Sequence, residues 1–237
     1  MNPSRRAMLK WTLTGGSAMA LSGSLPSLAA TAAVSEANPV IVPLVGGSGA
    51  DEAFLTGLQT GLLGSGAKVS EMVWLPPAKS SAFAQLEQRL ASLKGCRLIG
   101  LLDEGRQTIV DEILRDLGAR MWCAGRHSAG AAPRYGSSHR FTTTPRARGI
   151  GAALAEGLSS AAEGFAIYET ALGVGAAIGD VPVRLDRAGG WVGMTGEGLA
   201  RIATNTWVPG AAGQYRRVAT SARTTTDHGL VSFAAQL

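Results

Sequence analysis

Val40-Ile41-Val42-Pro43-Leu44-Val45, followed by Gly46-Gly47-Ser48-Gly49-Ala50-Asp51-Glu52, decides the fold. Six apolar residues without a polar break imply a strand covered on both faces. The glycine run makes a turn, and Asp51 and Glu52 open a helix at the end where its dipole favours negative charge. Phe54, Leu55, Leu58 and Leu62 then fall on one helical face. The same order recurs downstream. Val69 to Leu75 reads as a strand closed by Pro76-Pro77, and Ser80 or Ser81 caps a helix striped by Phe83, Leu86, Leu90 and Leu93. Leu98 to Leu102 is a third strand. A helix carrying Ile109, Val110, Ile113, Leu114 and Leu117 follows it and stops at Gly118. Arg120 to Ala124 supplies a short fourth strand. Successive strand–helix units predict a three-layer α/β domain with a parallel sheet, Rossmann-like or flavodoxin-like.

After Gly125 the periodicity fades. Residues 125–140 read as a long loop, and Thr144-Pro145 as the N-cap and first position of a helix running to about Ser160. Beyond Gly164 the pattern predicts strands: Val181, Val183 and Leu185 alternating with polar residues, then Trp191 to Met194, Leu199 to Trp207, Tyr215 to Thr220 and Leu230 to Ala235. The expected organisation is a leader over 1–32, an α/β domain over 33–160, and a β-rich C-terminal extension over 161–237 that either extends the first sheet with antiparallel strands or forms a small lobe of the same domain.

The leader rests on Ser4-Arg5-Arg6-Ala7-Met8-Leu9-Lys10. This heptad resembles the twin-arginine export signal, with Met8 where phenylalanine is usual and Arg5-Arg6 as the signal pair. The resemblance implies recognition by the twin-arginine translocase, export in the folded state, and a periplasmic or secreted destination. Trp11 to Leu25 is weakly apolar, diluted by glycine and serine and broken at Pro26. It reads as a processed signal rather than a permanent membrane span. Ala30-Thr31-Ala32 supplies the small-x-small cleavage site. The chain has 22 basic and 17 acidic residues; cleavage removes three basic residues and no acid, leaving 19 against 17. That near balance, with only scattered arginine pairs, argues against a nucleic-acid partner. Cys96 and Cys123 would meet an oxidising compartment, where pairing is permitted but not required.

Ligands of open α/β sheets bind outside the carboxyl ends of the strands. The loops there offer Gly47, Ser48, Gly49, Lys79, Asp103, Glu104, Arg106, Arg126, His127 and Ser128. The glycine turn can present amides to an anion, yet it has neither the P-loop lysine nor the dinucleotide G-x-G-x-x-G spacing. Gly46-Gly47-Ser48-Gly49-Ala50 resembles the nucleophile elbow of α/β-hydrolases, with Ala50 in place of the second glycine. Ser48, Asp103 and His127 follow that family's order of serine, acid and histidine, which implies a catalytic role for the three. Cys123, His127 and His139 lie close in sequence but lack metal-ligand spacing, so no metal centre is expected. The residues name no cofactor. Trp191 and Trp207 are candidate pocket walls. Two readings stand: an exported binding or accessory protein with a small-molecule ligand or protein partner, and an exported enzyme. The enzyme would be a serine hydrolase using Ser48 or a cofactor-dependent oxidoreductase.

Overall fold

A computed structural model describes residues 38–77, 83–132, 135–158, 165–171, 177–183, 190–208 and 229–237. The leader, with Arg5 and Arg6, lies outside the described residues, as do Lys79, Ser80, Ser81, His228 and the stretch Tyr215 to Thr220. The elements are β1 (Val40–Val45), α1 (Asp51–Leu62), β2 (Lys68–Val69), β3 (Val73–Trp74), α2 (Phe83–Ala91), β4 (Arg97–Asp103) and α3 (Glu104–Asp116). Then come β5 (Arg120–Ala132), β6 (Tyr135–Thr143), a 3-10 turn (Pro145–Ala147), α4 (Ile150–Leu158), β7 (Phe165–Ala171), β8 (Ala177–Val183), α5 (Gly190–Ala203) and β9 (Leu230–Gln236).

The described strands form one nine-stranded sheet in the order β2-β1-β4-β9-β5-β6-β7-β8, with β3 also on β1. β1 runs parallel to β2, β3 and β4. The apolar alternation of these strands feeds two cores. Ile41, Val45, Ile99 and Leu101 pack under α1, α4 and α5, while Val42, Leu44, Leu98 and Leu102 pack under α2 and α3. The result is the three-layer α/β fold the first half predicts. Gly118, at φ +72°, closes α3 in the left-handed conformation glycine permits.

Beyond this parallel half, the sheet also takes in antiparallel pairs. β9 enters between β4 and β5 and is antiparallel to both; β5–β6 and β7–β8 are antiparallel pairs, and β6–β7 is parallel. The described strands after residue 160 join the same sheet, β9 in its middle and β7 and β8 at its far side, and β9 and β8 each pair antiparallel with their neighbours. The expected loop over 125–140 is the β5–β6 pair. Trp191 to Met194 and Leu199 to Ala203, expected in strands, belong to helix α5. That helix is buried over nearly its whole length, with its buried carboxylate, Glu197, paired to Arg201.

Glycines explain how α5 fits. A Cβ on Gly57 of α1 would collide with the Gly193 carbonyl, one on Gly196 with the Phe54 carbonyl, and one on Gly61 would lie 2.8 Å from the Ala200 Cβ. The two backbones touch. Arg97 and Arg146 then close the far end of α5: Arg97 Nη1 donates to the Ala203 carbonyl, and Arg146 Nε and Nη2 donate to the Ile202 carbonyl at 3.2 and 3.1 Å. Cations there satisfy terminal carbonyls and oppose the helix dipole. Arg146 also lies 3.9 Å above the Trp122 ring. Burial first, and then the charge of Arg146, lower the Arg97 pKa to about 10. Cys96 and Cys123 are both free thiols.

Candidate functional site

The glycine turn after β1 is filled by the protein's own anion. Asp51, the first residue of α1, is buried, and its carboxylate accepts from Gly47 N at 2.7 Å, Ser48 N at 3.0 Å and Ser48 Oγ at 2.5 Å. Ser48 Oγ in turn accepts from Ala50 N at 3.3 Å. The amides that could have cradled a phosphate are therefore occupied by a carboxylate. Ser48-x-x-Asp51 is the spacing of a capping box, a signal in the sequence that the glycine run overshadows. Asp51→Ala is expected to cost ~2 kcal/mol, since it strands two amides, whereas Ser48→Ala is expected to cost under ~1 kcal/mol. Urea unfolding of the two variants measures the difference.

Asp103 ends β4 and caps α3. It accepts from Arg106 N at 2.9 Å and pairs with the Arg106 guanidinium. Burial pushes the Asp103 carboxyl up, and the hydrogen bonds and charge of Arg106 more than reverse this, leaving its pKa below the ordinary aspartate value. Arg106 Nε donates to the Pro76 carbonyl at 2.8 Å, and its side chain lies against Gly46, where an added Cβ would sit 3.3 Å from Arg106 Cδ. One guanidinium thus joins the carboxyl ends of β1, β3 and β4. The pair stays accessible, with side-chain exposure of 18% for Arg106 and 30% for Asp103. Glu104 is exposed beside it and leans toward Gly229, ahead of β9. Next to this crevice, Val73, Trp74, Pro76, Leu86 and Arg89 line an open groove of about 330 Å³.

His127 does not join them. Expected in a strand-end loop, it sits inside β5, 2% exposed, directly opposite His139 of β6. His127 Nδ1 lies 2.9 Å from His139 Nδ1, His127 Nε2 lies 2.8 Å from Ser232 Oγ on β9, and His139 Nε2 lies 3.0 Å from Ser137 Oγ. Trp191, at the start of α5, stacks on His127 with centroids 4.7 Å apart and lies 4.9 Å from His139. Burial is the main cause that holds both imidazoles neutral: His139 falls to about 3, and His127, which also feels His139, falls well below the ordinary value.

Ser48, Asp103 and His127 therefore have separate partners, and no hydrogen bond links the three among the described residues. The hydroxyl that meets His127 is Ser232, which no motif marks. Cys123 faces the same side of β5 but lies four residues, ~13 Å, from His127 at strand spacing, too far to share a metal ion with it. Among the described residues no group of three metal-ligating side chains converges. Trp207 donates its indole N–H to the Arg148 carbonyl at 3.1 Å. Arg126 is exposed on the opposite face of β5 from His127. Compared with protein-family models, curated proteins and solved structures, the chain matches none.

Proposed function

We propose that this chain is an exported periplasmic binding or accessory protein whose ligand sits in the crevice at the carboxyl ends of β1, β3 and β4. The observation that carries the reading is the accessible Asp103–Arg106 pair, tied to Pro76 and resting on Gly46 where three strand ends meet. The amides of the glycine turn before α1 are already taken by Asp51, and the N-terminus of α3 is capped by Asp103. A phosphate bound by helix amides is therefore disfavoured, and a small polar ligand or partner side chain that hydrogen-bonds the exposed pair is favoured. Export rests on the heptad Ser4 to Lys10 and its resemblance to the twin-arginine signal.

A panel of small polar metabolites should contain one that raises Tm, because binding to the native state alone stabilises it. Arg106→Ala should abolish that rise. A panel that never moves Tm, or a rise that survives Arg106→Ala, would sink the assignment. The hydrolase alternative requires Ser48 to be free for attack, and Ser48 Oγ donates to Asp51 instead. A fluorophosphonate probe is accordingly expected to leave Ser48 unlabelled in the folded protein.

A further inference from the structure

Four polar side chains on the α5 face of the sheet take no part in the crevice: Ser232, His127, His139 and Ser137 run in one hydrogen-bonded line across β9, β5 and β6. All four are buried. The imidazole centroids are 5.2 Å apart for a 2.9 Å contact between Nδ1 atoms, as far apart as that contact allows, so the two nitrogens face each other head-on. Such a contact needs one N–H and one lone pair. The neutral rings must be opposite tautomers, one accepting from a serine hydroxyl at Nε2 and the other donating to one.

The line has a limited capacity for protons. A first added proton can be held: both Nε2 atoms then donate to serine oxygens, and a single N–H remains between the rings. A second proton places an N–H on both facing Nδ1 atoms, with no acceptor between them. The rings must then part. Trp191 rests on both rings, so it must move with them.

We propose that the Ser232–His127–His139–Ser137 line is an acid-operated latch that holds the first turn of α5 on β5 and β6, and that double protonation releases this turn while the sheet stays folded. From Gly193 onward α5 is fixed independently, by its glycine crossing with α1 and by Arg97 and Arg146, so the latch acts on Gly190 to Val192. Among the described residues, the acidic groups on the surrounding elements are engaged elsewhere or exposed. Glu169 of β7 accepts from Thr143, Gly149 and Gly151; Glu197 of α5 pairs with Arg201; Asp51 of α1 is held by the glycine turn. Cys123 of β5 is a buried thiol whose pKa burial raises. Arg126 and Arg140 flank the pair in sequence but are exposed on the opposite face, and α4 brings only the exposed Glu156.

The direction with pH follows from proton counting. The closed state binds fewer protons than the open one, so it is fully favoured above about pH 6.5, the ordinary imidazole value, and loses ground as pH falls through that value. The test follows Trp191 emission in the full chain, taken as the difference between wild type and Trp191→Phe, together with far-UV circular dichroism. Between pH 7.5 and 4.5 the Trp191 signal should change with two-proton steepness near pH ~5 and become quenchable by acrylamide, with the far-UV signal unchanged. In His139→Gln the transition should vanish or require at least a tenfold higher proton concentration. A Trp191 signal that stays constant, a far-UV signal lost at the same pH, or an unaltered transition in His139→Gln would each overturn the latch. Where His139→Gln does not fold, ¹⁵N spectra of the wild-type imidazoles decide. Opposite tautomers at pH 7.5 and two charged rings after the transition support the latch; like tautomers, or one charged ring, refute it.

Discussion

Gly57→Ala is expected to cost ~3 kcal/mol or more, a large share of an ordinary domain's stability, although it swaps glycine for the best helix former. In an open helix the change would gain ~1 kcal/mol. Here an added methyl would enter the Gly193 carbonyl, and the neighbour is backbone, not a side chain that could rotate away. Relief requires α1 and α5 to separate, which uncovers Phe54, Leu58, Val192 and Leu199, all buried in one core. Separation also lifts α5 from the sheet. Gly49→Ala is the matching control: nothing lies within 4 Å of its added Cβ, so its effect should stay within ~1 kcal/mol. Urea midpoints at constant m-value compare them. A Gly57→Ala protein as stable as wild type would refute the close crossing.

The second large effect is expected at Glu169. Its Oε1 accepts from Thr143 Oγ1 at 2.9 Å and Gly149 N at 2.7 Å, and its Oε2 accepts from Gly151 N at 3.0 Å. The carboxylate thus ties β6 and β7 to the start of α4, where negative charge also meets the helix dipole. Glu169→Ala strands three donors in a buried setting and should cost ~3–5 kcal/mol. Glu169→Gln, which keeps one carbonyl acceptor, should lie between that variant and wild type. Equal Tm values for Glu169→Ala and Glu169→Gln would show that the acceptors carry little of the stability.

These two sites mark what the sequence does and does not display. Val40–Val45 and the Leu98–Leu102 run are legible because their apolar residues serve cores on both faces. The β5–β6 pair is hidden because its inward positions are Gly125, His127, Ser137 and His139, polar or small residues satisfied by one another. Alternation of apolar and polar residues, the usual sign of a strand, is therefore missing. Helix α5 is hidden for the opposite reason: Gly190, Gly193, Gly196 and Gly198 read as turn residues, and the value of Gly193 and Gly196 appears only with α1 in place. Thr144 was legible as a cap position, yet its hydroxyl donates to the Trp122 carbonyl instead of capping. Of the candidate site, Ser48, Asp103, Glu104 and Arg106 were reachable because strand-end topology alone gathers them. Ser48-x-x-Asp51 spacing hints at the first of their contacts, whereas the reach of Arg106 to Pro76 depends on side-chain geometry, which residue spacing does not encode.

The position of β9 has a further consequence, for how the chain reaches its native state. β4 and β5 are near neighbours in sequence but do not touch; the strand between them arrives about a hundred residues later, a loop whose closure is costly and slow. Until it docks, β4 and β5 each present an open edge to the same empty slot. A half-assembled molecule is thus two sticky fragments awaiting one insert, and any copy can supply that insert. At high concentration refolding should yield exchanged dimers, each plugged by the other's last strand.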